Sequence, residues 1–163
     1  MTGPAGNGTE PSGNRRSAAR LAAVQALYEM DMVDAEADAV LEEFLAKRWR
    51  PGDYTTDPDQ GLIEPDKEWL GDIVHGVSAN RDRLDGLIGG ALSGQWTVNR
   101  LETLIRVILR SAVYELDNKP SVPASVVIDE YLDVAHAFFE GPETGLVNGV
   151  LDRLARDLRT REL

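Results

Sequence analysis

Apolar residues recur three and four positions apart along most of this chain, the spacing of one face of an α-helix. With successive residues turning by about 100°, Leu21, Val24, Leu27 and Tyr28 gather on one arc, predicting a helix from Arg15 to Met30. Asn14 stands before it as a good N-cap. A second helix is expected over Ala35 to Trp49, carrying Val40, Leu41, Phe44, Leu45 and Trp49. The prolines, glycines and acidic residues of Arg50 to Asp66 then read as a long loop rather than a domain boundary.

Helix resumes at Pro65 or Asp66, with Pro65 suited to a first turn, and carries Trp69, Leu70, Ile73, Val74 and Val77. A shorter helix over Asn80 to Leu92 is weakened by Gly86, Gly89 and Gly90, and Ser93-Gly94-Gln95 breaks the chain. From Leu101 to Leu116, apolar positions cover nearly half the helix circumference, so this helix should be central. Pro120 and Pro123 mark a turn. Pro123 to Phe139 follows, with Val127, Ile128, Tyr131, Leu132, Val134, Ala135 and Phe138 on one side. The last helix, Gly145 to Arg159, should bury Leu146, Val147, Val150, Leu151, Leu154 and Leu158. No alternating strand pattern competes and no internal repeat occurs. The expectation is an all-α, compact bundle of about seven helices, two helical halves sharing one core within a single domain over 14–160.

Composition sharpens this picture. Aromatics are 6% of the 163 residues, so the core rests on aliphatic side chains and favours packed helices over a sandwich. With no cysteine, disulfides, thiolate nucleophiles and zinc-thiolate sites are excluded. No apolar run approaches the roughly 18 residues of a membrane span, and the first 13 residues lack the apolar stretch of a secretory signal. Those 13 residues read as a mobile tail, and the location as cytoplasmic.

Catalytic and metal chemistry find little support. There is no phosphate-binding glycine loop, serine elbow or paired zinc-binding histidine motif. Asp129, Asp133 and His136, with Glu130 beside them, share a face of one predicted helix. They lack the fuller ligand set of a metal site and read as a solvated face. His75 has no recognisable partner for acid–base work. Neither an enzyme, a cofactor nor a metal is expected.

The net charge of −11 argues against indiscriminate nucleic-acid binding, but a local basic patch is another matter. Arg15, Arg16 and Arg20 form one tight cationic cluster, with Arg16 and Arg20 four apart on a meridian that also contains Leu27. Cations near a helix start oppose the dipole by a few tenths of a kcal/mol or more each. The cluster is therefore either a phosphate clamp or a solubilising patch.

Two segments decide between these. RRSAARLAAVQALYEMD, Arg15 to Asp31, resembles the arginine-rich opening helix of the NusB family. VVIDEYLDVAHAFFEGPETGLVNGVLDRLARDL, Val126 to Leu158, resembles its closing helices, including VNGVLD. LRSAVYEL, Leu109 to Leu116, matches the central helix, and Val122-Pro123 fits the turn after it. The same helical fold opens certain ribosomal RNA cytosine methyltransferases, but this chain stops short of a methyltransferase domain, and the stand-alone factor is expected.

The resemblance implies a transcription antitermination factor that binds boxA-type single-stranded RNA together with NusE, a small-subunit ribosomal protein. It thereby joins the RNA polymerase antitermination complex. By position it places Arg15, Arg16 and Arg20 in the RNA-binding region, and Tyr28 either on the partner surface or in packing. Departures occur at Ser17 and Ala18, where relatives extend the arginine run, and at Gly145 and Leu146, where a lysine and a phenylalanine are usual. Leucine cannot stack a base, so Leu146 reads as packing. Arg106, Arg110 and Tyr114, at successive i+4 positions on the central helix, are nominated for partner or RNA contact, with internal salt bridges as the equal alternative. Asn148-Gly149 reads as structural, the glycine admitting close helix approach. RNA affinity should rise sharply with the basic partner. A homodimer of the free chain and a purely protein-binding adaptor stand as the alternative states and reading.

Overall fold

The structure is a computed structural model that describes residues 11–43, 54–55, 62–94 and 96–160. The chain divides into two units, Met1–Asp72 and Ile73–Leu163. In the first lie α1 (Pro11–Val33), α2 (Ala37–Glu43), β1 (Tyr54–Thr55), β2 (Leu62–Ile63) and the opening of α3 (Lys67–Ala79). The second holds the rest of α3, α4 (Arg81–Ala91), a 3-10 turn (Val98–Arg100), α5 (Thr103–Asn118), α6 (Ala124–Phe138) and α7 (Glu143–Leu158). Among the described residues the fold is thus carried by seven α-helices, as expected. The departure is β1 beside β2, a parallel pair with Tyr54 opposite Leu62 and Thr55 opposite Ile63. Two residues are too few for an alternating pattern to register in sequence.

Helix α1 begins four residues ahead of its expected start. Pro11 opens it, since a first-turn residue needs no N–H, and Asn14 is inside the helix rather than its cap. Residues 11–13 are therefore helical, while 1–10 lie outside the described residues. The buried face of α1 is built from Ala19, Ala22, Ala23, Val24, Ala26 and Leu27. Leu21 and Tyr28, expected on that arc, are exposed. Val24 and Leu27 of that arc are buried, and alanines rather than Leu21 and Tyr28 complete the packed face. Helix α2 buries Val40 and Leu41, while Phe44, Leu45, Trp49 and most of the 50–66 loop lie outside the described residues.

Helix α3 is capped by Asp66, whose Oδ1 accepts the Trp69 N–H at 3.0 Å, so Pro65 precedes the cap instead of opening the helix. In the second unit α5 is central, buried without a break from Val107 to Leu116 and packed on α4, α6 and α7. Gly76 is the position where a glycine is required for packing: a Cβ there would lie 2.1 Å from Tyr114 Cζ. Phe138, expected inside α6, is exposed.

Two buried polar groups fasten the α5 end. Tyr131 donates to the Glu115 carboxylate, both side chains being fully buried. Arg159, just past α7, reaches back to carbonyls at the C-terminal end of α5 and in the turn that follows it. Its Nε donates to Leu116 O at 2.6 Å and its Nη1 to Val122 O at 2.8 Å. Its Nη2 is shared between Glu115 O at 3.2 Å and Lys119 O at 2.8 Å. A cation at the negative end of the helix dipole adds to the cap.

Candidate nucleic-acid interface

The arginine cluster of α1 is organised around an aromatic from α3. The Arg16 guanidinium lies 4.0 Å from the centroid of the Trp69 ring, and that of Arg20 lies 5.7 Å away. Trp69 is held there by local structure. Asp66 caps its helix through the side chain, while the Asp66 N–H donates to the Arg15 carbonyl at 2.9 Å, tying the start of α3 to α1 at the arginines. All of this falls within the first unit.

The three arginines differ in access. Arg15 and Arg16 are half-buried, whereas Arg20 is only 3% exposed and its side chain is largely withdrawn from solvent. The Nε of Arg15 is buried without a hydrogen-bond partner. Because α1 starts at Pro11, Arg15 and Arg16 sit in its second turn and Arg20 in its third. The dipole penalty expected of them fades accordingly, since it is confined to the first turn. A guanidinium stacked by its face keeps its N–H edges for bidentate contact with phosphate, which is the chemistry Arg16 offers. Sequence reasoning counted Trp69 only as an apolar helix position. Its separation from the arginines by some fifty positions hides the pairing from any local pattern.

A second face of α1 stays uncovered. Leu21, Gln25, Tyr28 and Met32 follow one meridian and are all exposed, Met32 at 59%. Between Glu29 and Glu43 come seven carboxylates and no cation. An apolar strip beside an acidic stretch suits a basic protein surface.

Of the stripe nominated on α5, Arg110 and Tyr114 are buried and Arg106 is half-buried. Arg110 is 4% exposed and makes a bidentate ion pair with Asp85 of α4, Nε to Oδ1 at 2.7 Å and Nη2 to Oδ2 at 2.9 Å. Tyr114 is buried with its ring against Gly76. Burial, and then the charge of Glu115, push the Tyr114 phenol above its ordinary pKa. Arg106 is half-buried and donates to Thr103 Oγ1 at 3.1 Å. The Arg110–Asp85 pair is the internal salt bridge that the i+4 spacing left open as the equal alternative.

Leu146 is half-buried and, with Gly145, lines an open groove of about 350 Å³ between the end of α4 and α7. Gly149 borders the same groove, and a Cβ there would meet nothing within 4 Å, so it does not serve close helix approach. Asn148 is exposed. On α6, Asp129, Asp133 and His136 are exposed and Glu130 half-buried; His75 is exposed on α3. Among the described residues no group of three or more such side chains could hold a metal ion, and no helix is long and apolar enough to cross a membrane.

The model of the NusB family matches residues 17–156. The chain is 42% identical to the transcription antitermination protein NusB of Bradyrhizobium sp. (strain ORS 278) over 161 residues, 99% of this chain and 94% of that one. It is 45% identical to the protein of that name from Bartonella tribocorum over 148 residues, 91% of this chain and 92% of the relative. A solved structure of T. maritima NusB superposes with a TM-score of 0.72 at 30% identity, covering 87% of this chain and 91% of that chain.

Proposed function

The chain belongs to the NusB family, and from that membership we propose that it is a transcription antitermination factor acting on boxA-type RNA. In this reading it pairs with NusE and, as a heterodimer, grips boxA in nascent ribosomal RNA transcripts, keeping RNA polymerase elongating. The observation that supports this best is the placing of Arg16 and Arg20 over Trp69 with Arg15 beside them in sequence, a concentration of positive charge in a chain of net charge −11. Arg15 and Arg16 are the phosphate contacts, and the more buried Arg20 supports them. Three arginines give few counterions to release, so the isolated chain binds RNA weakly. The basic partner supplies further phosphate contacts and is drawn to the strip of Leu21, Tyr28 and Met32 beside the acidic stretch.

No catalytic step and no cofactor belong to this role, and its setting is the bacterial cytoplasm. Without partner or RNA, two copies of the chain pair so as to cover the arginine surface, which sedimentation of the free protein at micromolar concentration would show or exclude. The test of the function is titration of a labelled boxA-type RNA with the chain, alone and with NusE, at one stated salt concentration. Tight binding only with NusE, abolished by Arg16→Glu, is the expected result.

A protein-binding adaptor without RNA contact is the second reading, favoured by the burial of Arg20 and the exposure of Tyr28. It requires that Arg16→Glu leave every RNA-linked function intact.

A further inference from the structure

We infer that Trp69 is the positioning residue of the arginine clamp, presenting Arg16 to RNA by stacking beneath its guanidinium. This rests on the RNA reading given above and deepens it. The geometry points there from three sides. The indole is half-buried at the first turn of α3, not sunk in the core. Instead a ring with a strong negative face lies 4.0 Å below Arg16 and 5.7 Å from Arg20. Asp66 fixes the ring's origin by capping α3 and binding the Arg15 carbonyl, so the platform and the arginines share one anchor.

The physical consequence is preorganisation. An arginine free on a helix surface surrenders rotamer freedom when it closes on a phosphate. One already held by its face has less to lose, while its N–H edges remain directed outward. A chain with three clustered arginines gains most from placing them well. Trp69 acts through Arg16, and it need not touch RNA.

The test is fluorescence anisotropy of a fluorescein-labelled boxA-type RNA with the full chain in complex with NusE, from about 50 to 200 mM salt. Trp69→Leu should weaken binding roughly 3- to 10-fold, the range that removing a cation–π interaction implies. It should also flatten the plot of log affinity against log salt by up to about 0.7 for each phosphate no longer neutralised. Trp69→Phe should recover most of the affinity. In an Arg16→Gln background, Trp69→Leu should add little, because the group it positions is gone. A purely structural tryptophan would lower stability without changing the salt slope or coupling to Arg16.

Wild-type affinity in Trp69→Leu, or its full effect persisting in Arg16→Gln, would overturn the inference and leave the RNA reading standing. Failure of the wild-type complex to bind the RNA would overturn both. If Trp69→Leu does not fold by circular dichroism, Arg16→Lys decides, since lysine keeps the charge and loses the planar stack. A several-fold weakening is then expected, and unchanged binding would refute the stacking role.

Discussion

Replacing Arg110 by methionine keeps most of the side-chain volume on α5 and deletes two charge-assisted hydrogen bonds to Asp85. The magnitude follows from where the pair sits. Breaking a fully buried ion pair costs about 3–5 kcal/mol, because the remaining charge is stranded. An exposed pair is worth about 0–1 kcal/mol. The Arg110 side chain is 5% exposed but that of Asp85 is 26%, so water can reach the orphaned carboxylate. The cost should therefore fall between these limits, at about 2–3 kcal/mol. For a chain of this length that lowers the melting temperature by roughly 5–10 °C.

The assay is urea and thermal unfolding followed by circular dichroism, with NusE and RNA binding of the folded variant measured well below its transition. Removing the stranded charge as well, in Arg110→Met with Asp85→Leu, should restore much of the stability, since an apolar pair of similar volume often does as well as a buried salt bridge. Stability equal to wild type together with abolished partner or RNA binding would refute this reasoning. It would return Arg110 to the surface role that its i+4 spacing with Arg106 and Tyr114 suggested.

Other expected outcomes concern the same core. Gly76→Ala drives a Cβ into the Tyr114 ring; overpacking of about 1–3 kcal/mol should outweigh the ~1 kcal/mol gain in helix propensity, giving net destabilisation in urea. Arg159→Met removes the shared cap of α5 and should cost about 2–4 kcal/mol, with hydrogen exchange speeding first at the α5 C-terminal amides. The Tyr114 phenol is raised in the folded state. Its protonated form is the favoured one, so stability is fully present below the unfolded pKa of about 10 and declines as pH rises beyond it. Urea midpoints at pH 9 and 11 should show that decline in wild type and a smaller one in Tyr114→Phe.

Helical spacing was enough to locate the helices, because large aliphatics at i, i+3 and i+4 dominate α3, α5 and α7. Where small residues share the packing, the pattern was partial. On α1, Val24 and Leu27 are buried as expected, but four alanines complete that face while Leu21 and Tyr28 lie outside it. The start of α1 was misjudged because Pro11 could open a helix inside a segment whose composition reads as tail. The arginine cluster was visible as charge. Its organising ring was not, since Trp69 comes from another helix, and neither was the burial of Arg20. The Arg106–Arg110–Tyr114 stripe shows the general limit: polar residues opposite an apolar arc face solvent only if no neighbouring helix covers them. Asp85 and Gly76 were too distant in sequence to announce that cover. Arg159 escaped notice for the same reason, lying some forty residues from the carbonyls it caps.

The most direct test of function is the anisotropy titration of boxA-type RNA with the chain in the absence and presence of NusE, repeated with Arg15→Glu and Arg16→Glu. The expected result is weak binding by the chain alone and tight binding by the heterodimer, abolished by either charge reversal while the NusE complex itself persists. Equal RNA affinity with and without NusE, or tight binding that survives both reversals, would contradict the arginine-clamp account.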